Sequence, residues 1–242
     1  MPAKREFMTT RSSSTPSQRT QLANSKPRLS ESEQLVNSRH RVKTYGEVFT
    51  PRHMVNEMLD LVRTELETGP QFVDKTFFEP AAGDGNFLVA ILQRKLQAIK
   101  RRYQPEFWPT ESLFALASIY GIELLSDNHE AAQTMLLAEF VRFHERNGVK
   151  CGRRTNLHRA ASYLINVNII QGNTLTGLDH MGKLIEFSWW HRLLNIPGMV
   201  QREPFTLDSL RGANRGAFDF TIYARYKPCR IDHVHKEVRV DD

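Results

Sequence analysis

"FFEPAAGDGNFLVAIL", running from Phe77 to Leu92, sets two glycines and an aspartate between two apolar runs. "KTFFEP" reads as a short strand, and from Asn86 onward Leu88, Ile91, Leu92, Leu96 and Ile99 recur at helical spacing. The turn Gly83-Asp84-Gly85 therefore joins a strand to a helix. Glycines there admit positive φ and let a ligand approach the backbone closely. The helix that follows directs free N–H groups at the same point. In open α/β sheets ligands lie beyond the carboxyl ends of the strands, which is where this turn falls. Lys95, Lys100, Arg101 and Arg102 stand toward the helix end, where cations suit the dipole.

The charges around the turn select among ligands. A dinucleotide fingerprint needs a third glycine where Leu88 stands. Glu79 before the turn and Asp84 within it would repel a pyrophosphate, but they can hold a cationic amino-acid moiety and its sulfonium. S-adenosylmethionine fits those charges and NAD fits them poorly. Downstream, Glu123 ends "IYGIE", where a carboxylate can accept hydrogen bonds from both ribose hydroxyls. Leu124 can then cover one face of adenine.

Working outward, "TYGEVFTPRHMVNEMLDLV" opens the ordered part. Thr50 is the expected helix cap with Pro51 at the first helical position. Met54, Val55, Met58, Leu59 and Val62 form the buried stripe, and "TGP" ends the helix. "RYQPEFWPTES" reads as a loop and "LASIYGIELL" as a second strand. Ser126 or Asp127 is the expected cap of the helix "NHEAAQTMLLAEFVRFHER". A basic connection spans Asn147 to Asn156, and "VNIIQGNTL" is a third strand. Strands alternating with helices predict a mostly parallel, Rossmann-like sheet with helices on both faces. After Thr176 the pattern weakens. "KLIEFSWWHRLL" and "FDFTIYARY" carry apolar material, "GMVQREPFTLDSLRGANRG" between them is mostly turn residues, and "CRIDHVHKEVRVDD" is either a final strand or a tail.

The quoted segments, in this order and spacing, resemble the gamma-type N6-adenine DNA methyltransferases, the modification subunits of restriction systems and their phage or plasmid relatives. The similarity covers about Tyr45 to Thr176. It implies that Phe49, Thr50 and Pro51 close over the methionine part of S-adenosylmethionine. By the same resemblance Glu79, Ala81, Gly83 and Gly85 floor its site, and Glu123 and Leu124 hold ribose and adenine; Asp84 and Asn86 of the same turn are further cofactor-binding candidates. Asn173 stands where that family has an aspartate on the adenine amino group; an amide oxygen still accepts there but without charge.

The family's Asn/Asp-Pro-Pro-aromatic tetrapeptide, which holds the extruded adenine, does not occur. "FDFTIYARYKP" resembles the strand that delivers it, with Ala224 or Arg225 at the acceptor position and Tyr223 and Tyr226 as stacking rings. "NIPG", Asn195 to Gly198, is the other candidate. Trp189 and Trp190 can also stack an unpaired base, although core packing is the expected role of such large rings. The expectation is an S-adenosylmethionine-dependent DNA methyltransferase, acting on adenine N6. The alternative is a degenerate S-adenosylmethionine- or DNA-binding subunit that works with a partner or specificity subunit.

Composition bounds the rest. The 242 residues carry a net charge of +6, which favours a polyanionic partner. Met1 to Arg41 reads as a disordered basic arm, and 42–242 as one methyltransferase-like domain with its cofactor half at about 45–176. No apolar run is long enough to span a membrane and no signal-peptide core precedes the domain, so a cytoplasmic protein is expected. Cys151 and Cys229 have no zinc spacing; Cys229, His233 and His235 read as bystanders rather than metal ligands.

Overall fold

The computed structural model describes residues 37–213 and 226–240. Helix α1 (Arg39–Tyr45) is capped by Ser38, whose hydroxyl accepts from the Arg41 N–H, and it closes on Gly46 at φ 68°. Helix α1 thus begins inside the segment expected to end at Arg41, and of that segment residues 1–36 lie outside the described residues. Helix α2 (Arg52–Asp60) has Pro51, not Thr50, in the cap position, because proline's fixed φ suits the residue leading into the first turn. Val55 and Leu59 are buried, whereas Met54 and Met58 are half exposed. A π-helical turn (Thr64–Thr68) follows.

Strand β1 (Phe77–Glu79) leads through the glycine turn into α3 (Asn86–Arg102). The segment expected as a loop instead contains helix α4 (Trp108–Ala117). Its Pro109 sits in the first turn, where an N–H has no helical partner, so proline opens this helix rather than breaking one. Strand β2 (Ile119–Glu123) and helix α5 (Ser126–Arg146) come next. The cap position of α5 is Leu125, and neither Ser126 nor Asp127 caps it. After the basic connection, Thr155 caps helix α6 (Asn156–Asn168), which runs into β3 (Ile169–Asn173) and the short β4 (Leu178–Asp179). β1, β2 and β3 are parallel, with Phe77 beside Ile119 and Gly121 beside Ile169; β4 returns antiparallel.

The second half departs further from expectation. β5 (Glu186–Arg192) and β6 (Met199–Thr206) form an antiparallel hairpin, followed by α7 (Leu207–Ala213). Met199 to Ala213 of the stretch read as turns are therefore a strand and a helix, and 214–216 lie outside the described residues. Among the described residues β7 (Cys229–Arg230) pairs β6 only at Met199 and Val200, which leaves β6 an edge at Pro204, where a proline is tolerated. Cys229 to Lys236 form a two-residue strand and a 3₁₀ turn (Ile231–Lys236) that buries Ile231 and Val234.

Alternation along the strands divides the core. Ile119 and Ile169 face α3, α5 and α6, and a methyl added at Gly121 would meet Leu88 at 3.0 Å. Tyr120 and Ile122 face Phe187, Phe205 and Leu207 instead. The Tyr120 hydroxyl donates to the Ser188 carbonyl at 2.7 Å, and the Phe187 ring meets Phe78 and Tyr120 edge-on. Helices on both faces were expected. Among the described residues a helical layer covers one face and the β5–β6 hairpin covers the other. Apolar strands fill a face as readily as helices once their side chains alternate toward it. No described helix is long and apolar enough to cross a membrane.

Candidate functional site

The carboxyl ends of β1, β2 and β3 converge on one cleft. Gly83 and Gly85 hold φ of 56° and 93° in the turn after β1. A methyl at Gly85 would lie 2.8 Å from the Ala132 Cα, so glycine is required there by both conformation and the packing of α5. The Glu123 carboxylate ties the turn to the end of β2, accepting from the Gly83 N–H at 2.7 Å and from the Leu125 N–H at 2.9 Å. Ala82 N–H donates back to the Ile122 carbonyl, and the Thr174 hydroxyl after β3 reaches the Pro80 carbonyl. Three strand ends are thereby bound to one another before any ligand arrives.

A strap, Tyr45 to Pro51, lies over this floor. Glu47 on the strap is gripped by the Arg41 guanidinium at 2.6 and 2.7 Å and by the Asn128 amide at 2.7 Å. Arg41 also bonds Asp127, so it joins α1, the strap and the start of α5. The Phe49 ring lies over Gly83, where an added methyl would meet it at 3.2 Å. Under the strap are two adjoining cavities that share Val48, Phe49, Ala81 and Gly83. The larger, about 280 Å³, reaches Glu123, Leu124, Asn128 and Asn173. The smaller, about 90 Å³, reaches Thr50, Glu79, Asp84 and Asn86. Of the positions expected to hold a cofactor, all but Pro51 and Gly85 line one of these cavities; those two stand behind it and shape the chain.

The electrostatics are asymmetric. Burial pushes the Glu79 and Asp84 carboxyls above their ordinary range, against backbone hydrogen bonds from Ala81 to Glu79 and from the Asn86 and Asp84 N–H groups to Asp84. The charge of Glu47 adds to the effect on Asp84. Neither Glu79 nor Asp84 meets a Lys or Arg among the described residues. Burial also works to raise Glu47, but the bonds from Arg41 and Asn128 overcome it and hold that carboxyl low. The inner cavity is therefore walled by two carboxylates without a cation.

Other candidates fall elsewhere. The Asn173 side-chain oxygen accepts from the Leu175 and Thr176 N–H groups of its own loop, so it is already engaged. Asn195 is in the exposed tip of the β5–β6 hairpin. That tip lies where the strands begin, since Arg192 at the end of β5 bonds Glu111 of α4 and Asp74 before β1. Tyr226 is buried under Arg202 and Arg239, and Tyr223, Ala224 and Arg225 lie outside the described residues. Both tryptophans pack inward. Trp189 stacks on Phe205 at 4.5 Å, while Trp190 donates to the Asn168 side chain at 2.9 Å. His233 is engaged by Asn156 and Asp232. Most of the cations at 94–102 are engaged internally: Arg94 by Glu67 and Asp60, Arg101 by Glu67, Arg102 by the Glu67 and Gly69 carbonyls, and the buried Lys95 by Val73, Lys75 and Ser118, while Lys100 is exposed.

Sequence reasoning missed Arg41, Glu47 and Asn128. Glu47 lies inside the quoted "GEVFTP", but its partners are remote in sequence and no local pattern announces them. Comparison of the chain with protein-family profiles, with characterised proteins and with solved structures finds no match in any of the three.

Proposed function

We propose that this chain is a cytoplasmic, Rossmann-like methyltransferase that binds S-adenosylmethionine under the strap and methylates DNA at adenine N6, as part of a restriction-modification or phage system. One observation carries the reading. The cleft pairs two cation-free carboxylates with a glycine turn whose Gly83 N–H is already taken by Glu123. A phosphate would find repulsion and no donor at Gly83; an ammonium and a sulfonium would find counter-charges.

The residues present fit that cofactor by charge and polarity. Glu79 and Asp84 would face its amino-acid end, and Phe49 would cover the middle. Glu123, whose oxygens each keep a lone pair, would accept from the ribose hydroxyls, and the half-exposed Leu124 would cover adenine. The bound cofactor supplies a methyl group on a positively charged sulfur. The chain's own contribution is to fix the strand ends and exclude water beneath the strap, so that an incoming amino nitrogen meets the methyl in line.

A second reading has its own support. Asn195 and Tyr226 stand away from the cleft, and no Asn/Asp-Pro-Pro-aromatic run exists in the sequence. This favours a cofactor- or DNA-binding subunit that turns over only with a partner or specificity subunit. Incubation with tritiated S-adenosylmethionine and unmodified DNA, followed by nucleoside separation, distinguishes the two. Label in N6-methyladenine from the isolated chain supports the enzyme; cofactor binding without label supports the subunit.

A further inference from the structure

The cationic residues after α5 behave differently from those of α3. Arg146, Lys150, Arg153, Arg154 and Arg159 are all exposed, and none forms an ion pair among the described residues. No Asp or Glu occurs anywhere from 146 to 178. The 3₁₀ turn Ile231–Lys236 folds onto the start of α6, where His233 bonds Asn156 at 2.9 Å. This brings the exposed Lys236 to the same surface, with the ring nitrogens of His235 buried beneath it. The carboxylates nearby are spoken for: Asp232 by Arg230 and His233, Glu237 by Arg202 and Tyr163. Glu145 is the exception and lies on the last turn of α5. The first turn of α6 adds the partial positive charge of its N–H groups. Two imidazoles register the local potential. Burial first, then Arg153, depresses His158; burial first, then Lys236, His233 and Arg159, depresses His235.

The patch is far from the cleft. Asn128 in the first turn of α5 lines the cleft and Arg146 ends the same helix, whose 21 residues rise about 30 Å. We propose that the start of α6, the connection before it and the 3₁₀ turn form a nucleic-acid backbone-binding surface, separate from the cofactor cleft. Cations held in the open without carboxylate partners keep their full attraction for phosphates, and their spread over two segments suits a linear polyanion better than a single anion. The assignment does not depend on the reading of the cleft.

The test is fluorescence anisotropy of the full chain with a labelled 20-base-pair duplex of arbitrary sequence, over a range of salt. Replacing Lys150, Arg153 and Arg154 by alanine should weaken binding at least about tenfold near 0.1 M salt and lower the slope of log affinity against log salt by about 3. These side chains are exposed, so the melting temperature and the circular dichroism spectrum should not move; a loss there as well would trace the effect to unfolding and overturn the assignment. Arg146→Ala with Arg159→Ala should lower the slope by about 2. Unchanged affinity and slope in both variants would overturn the proposal. So would displacement of the duplex by polyglutamate of equal charge, which would assign the surface to an acidic protein instead.

Discussion

Replacing Glu123 by glutamine tests how the cleft is held together. The carboxylate accepts two backbone N–H groups from segments forty residues apart in the case of Gly83, and it is 7% exposed. Glutamine keeps one accepting oxygen and turns an NH₂ group toward the other donor. One charge-assisted bond, about 1.5–3 kcal/mol, is lost, and the remaining bond weakens to a neutral one of about 1 kcal/mol. The Gly83 or Leu125 N–H then faces another donor in a half-dry site. The structure thus argues for a loss of about 3 kcal/mol, which lowers the melting temperature of a domain this size by about 6–12 °C. Thermal unfolding followed by circular dichroism reads it directly. A variant that melts within about 2 °C of wild type would refute the claim that Glu123 fastens the turn to β2.

Three further outcomes follow. Gly85→Ala combines a positive φ with a methyl 2.8 Å from Ala132, and should lower stability by about 3 kcal/mol; an unchanged urea midpoint would contradict it. Burial pushes the His144 imidazole down to about 4. The unfolded chain therefore binds the proton first, and about 3 kcal/mol of stability is lost as pH falls from 6.5 to 4; His144→Leu should flatten that slope in acid denaturation, and an identical slope would exclude His144 as its source. Arg41→Ala should release the strap, seen as faster amide exchange at Gly46 to Thr50 with α3 unaffected; unchanged exchange would mean that Phe49 alone holds it.

The part of the site carried by local pattern was legible. The strand, the glycine turn, α3 and the carboxylate of Glu123 follow from spacing and residue type, and the structure gathers them in one cleft. What escaped depends on contacts between distant residues. Arg94 and Arg101 look like free cations until Glu67 is brought against them. Lys95 sits in a run of cations, yet its ammonium is buried against two carbonyls and the Ser118 hydroxyl. Prolines misled twice, at Pro109 and Pro204, because their effect depends on whether a backbone N–H is needed at that point. The hairpin covering the second face was hidden for the same reason: its residues alternate, but a proline and the adjacent turn formers break the run. The strap's clamp could not be seen at all, since Arg41 and Asp127 are 86 residues apart.

Glu79 and Asp84 beneath the strap meet no Lys or Arg among the described residues, and the proposed ligand there is a cationic nucleoside. Equilibrium titration calorimetry of the full chain against S-adenosylmethionine and against NAD tests it most directly. Saturable binding of S-adenosylmethionine, abolished by Asp84→Ala in a variant that still folds, is the predicted result. Tight binding of NAD with no heat from S-adenosylmethionine would contradict it.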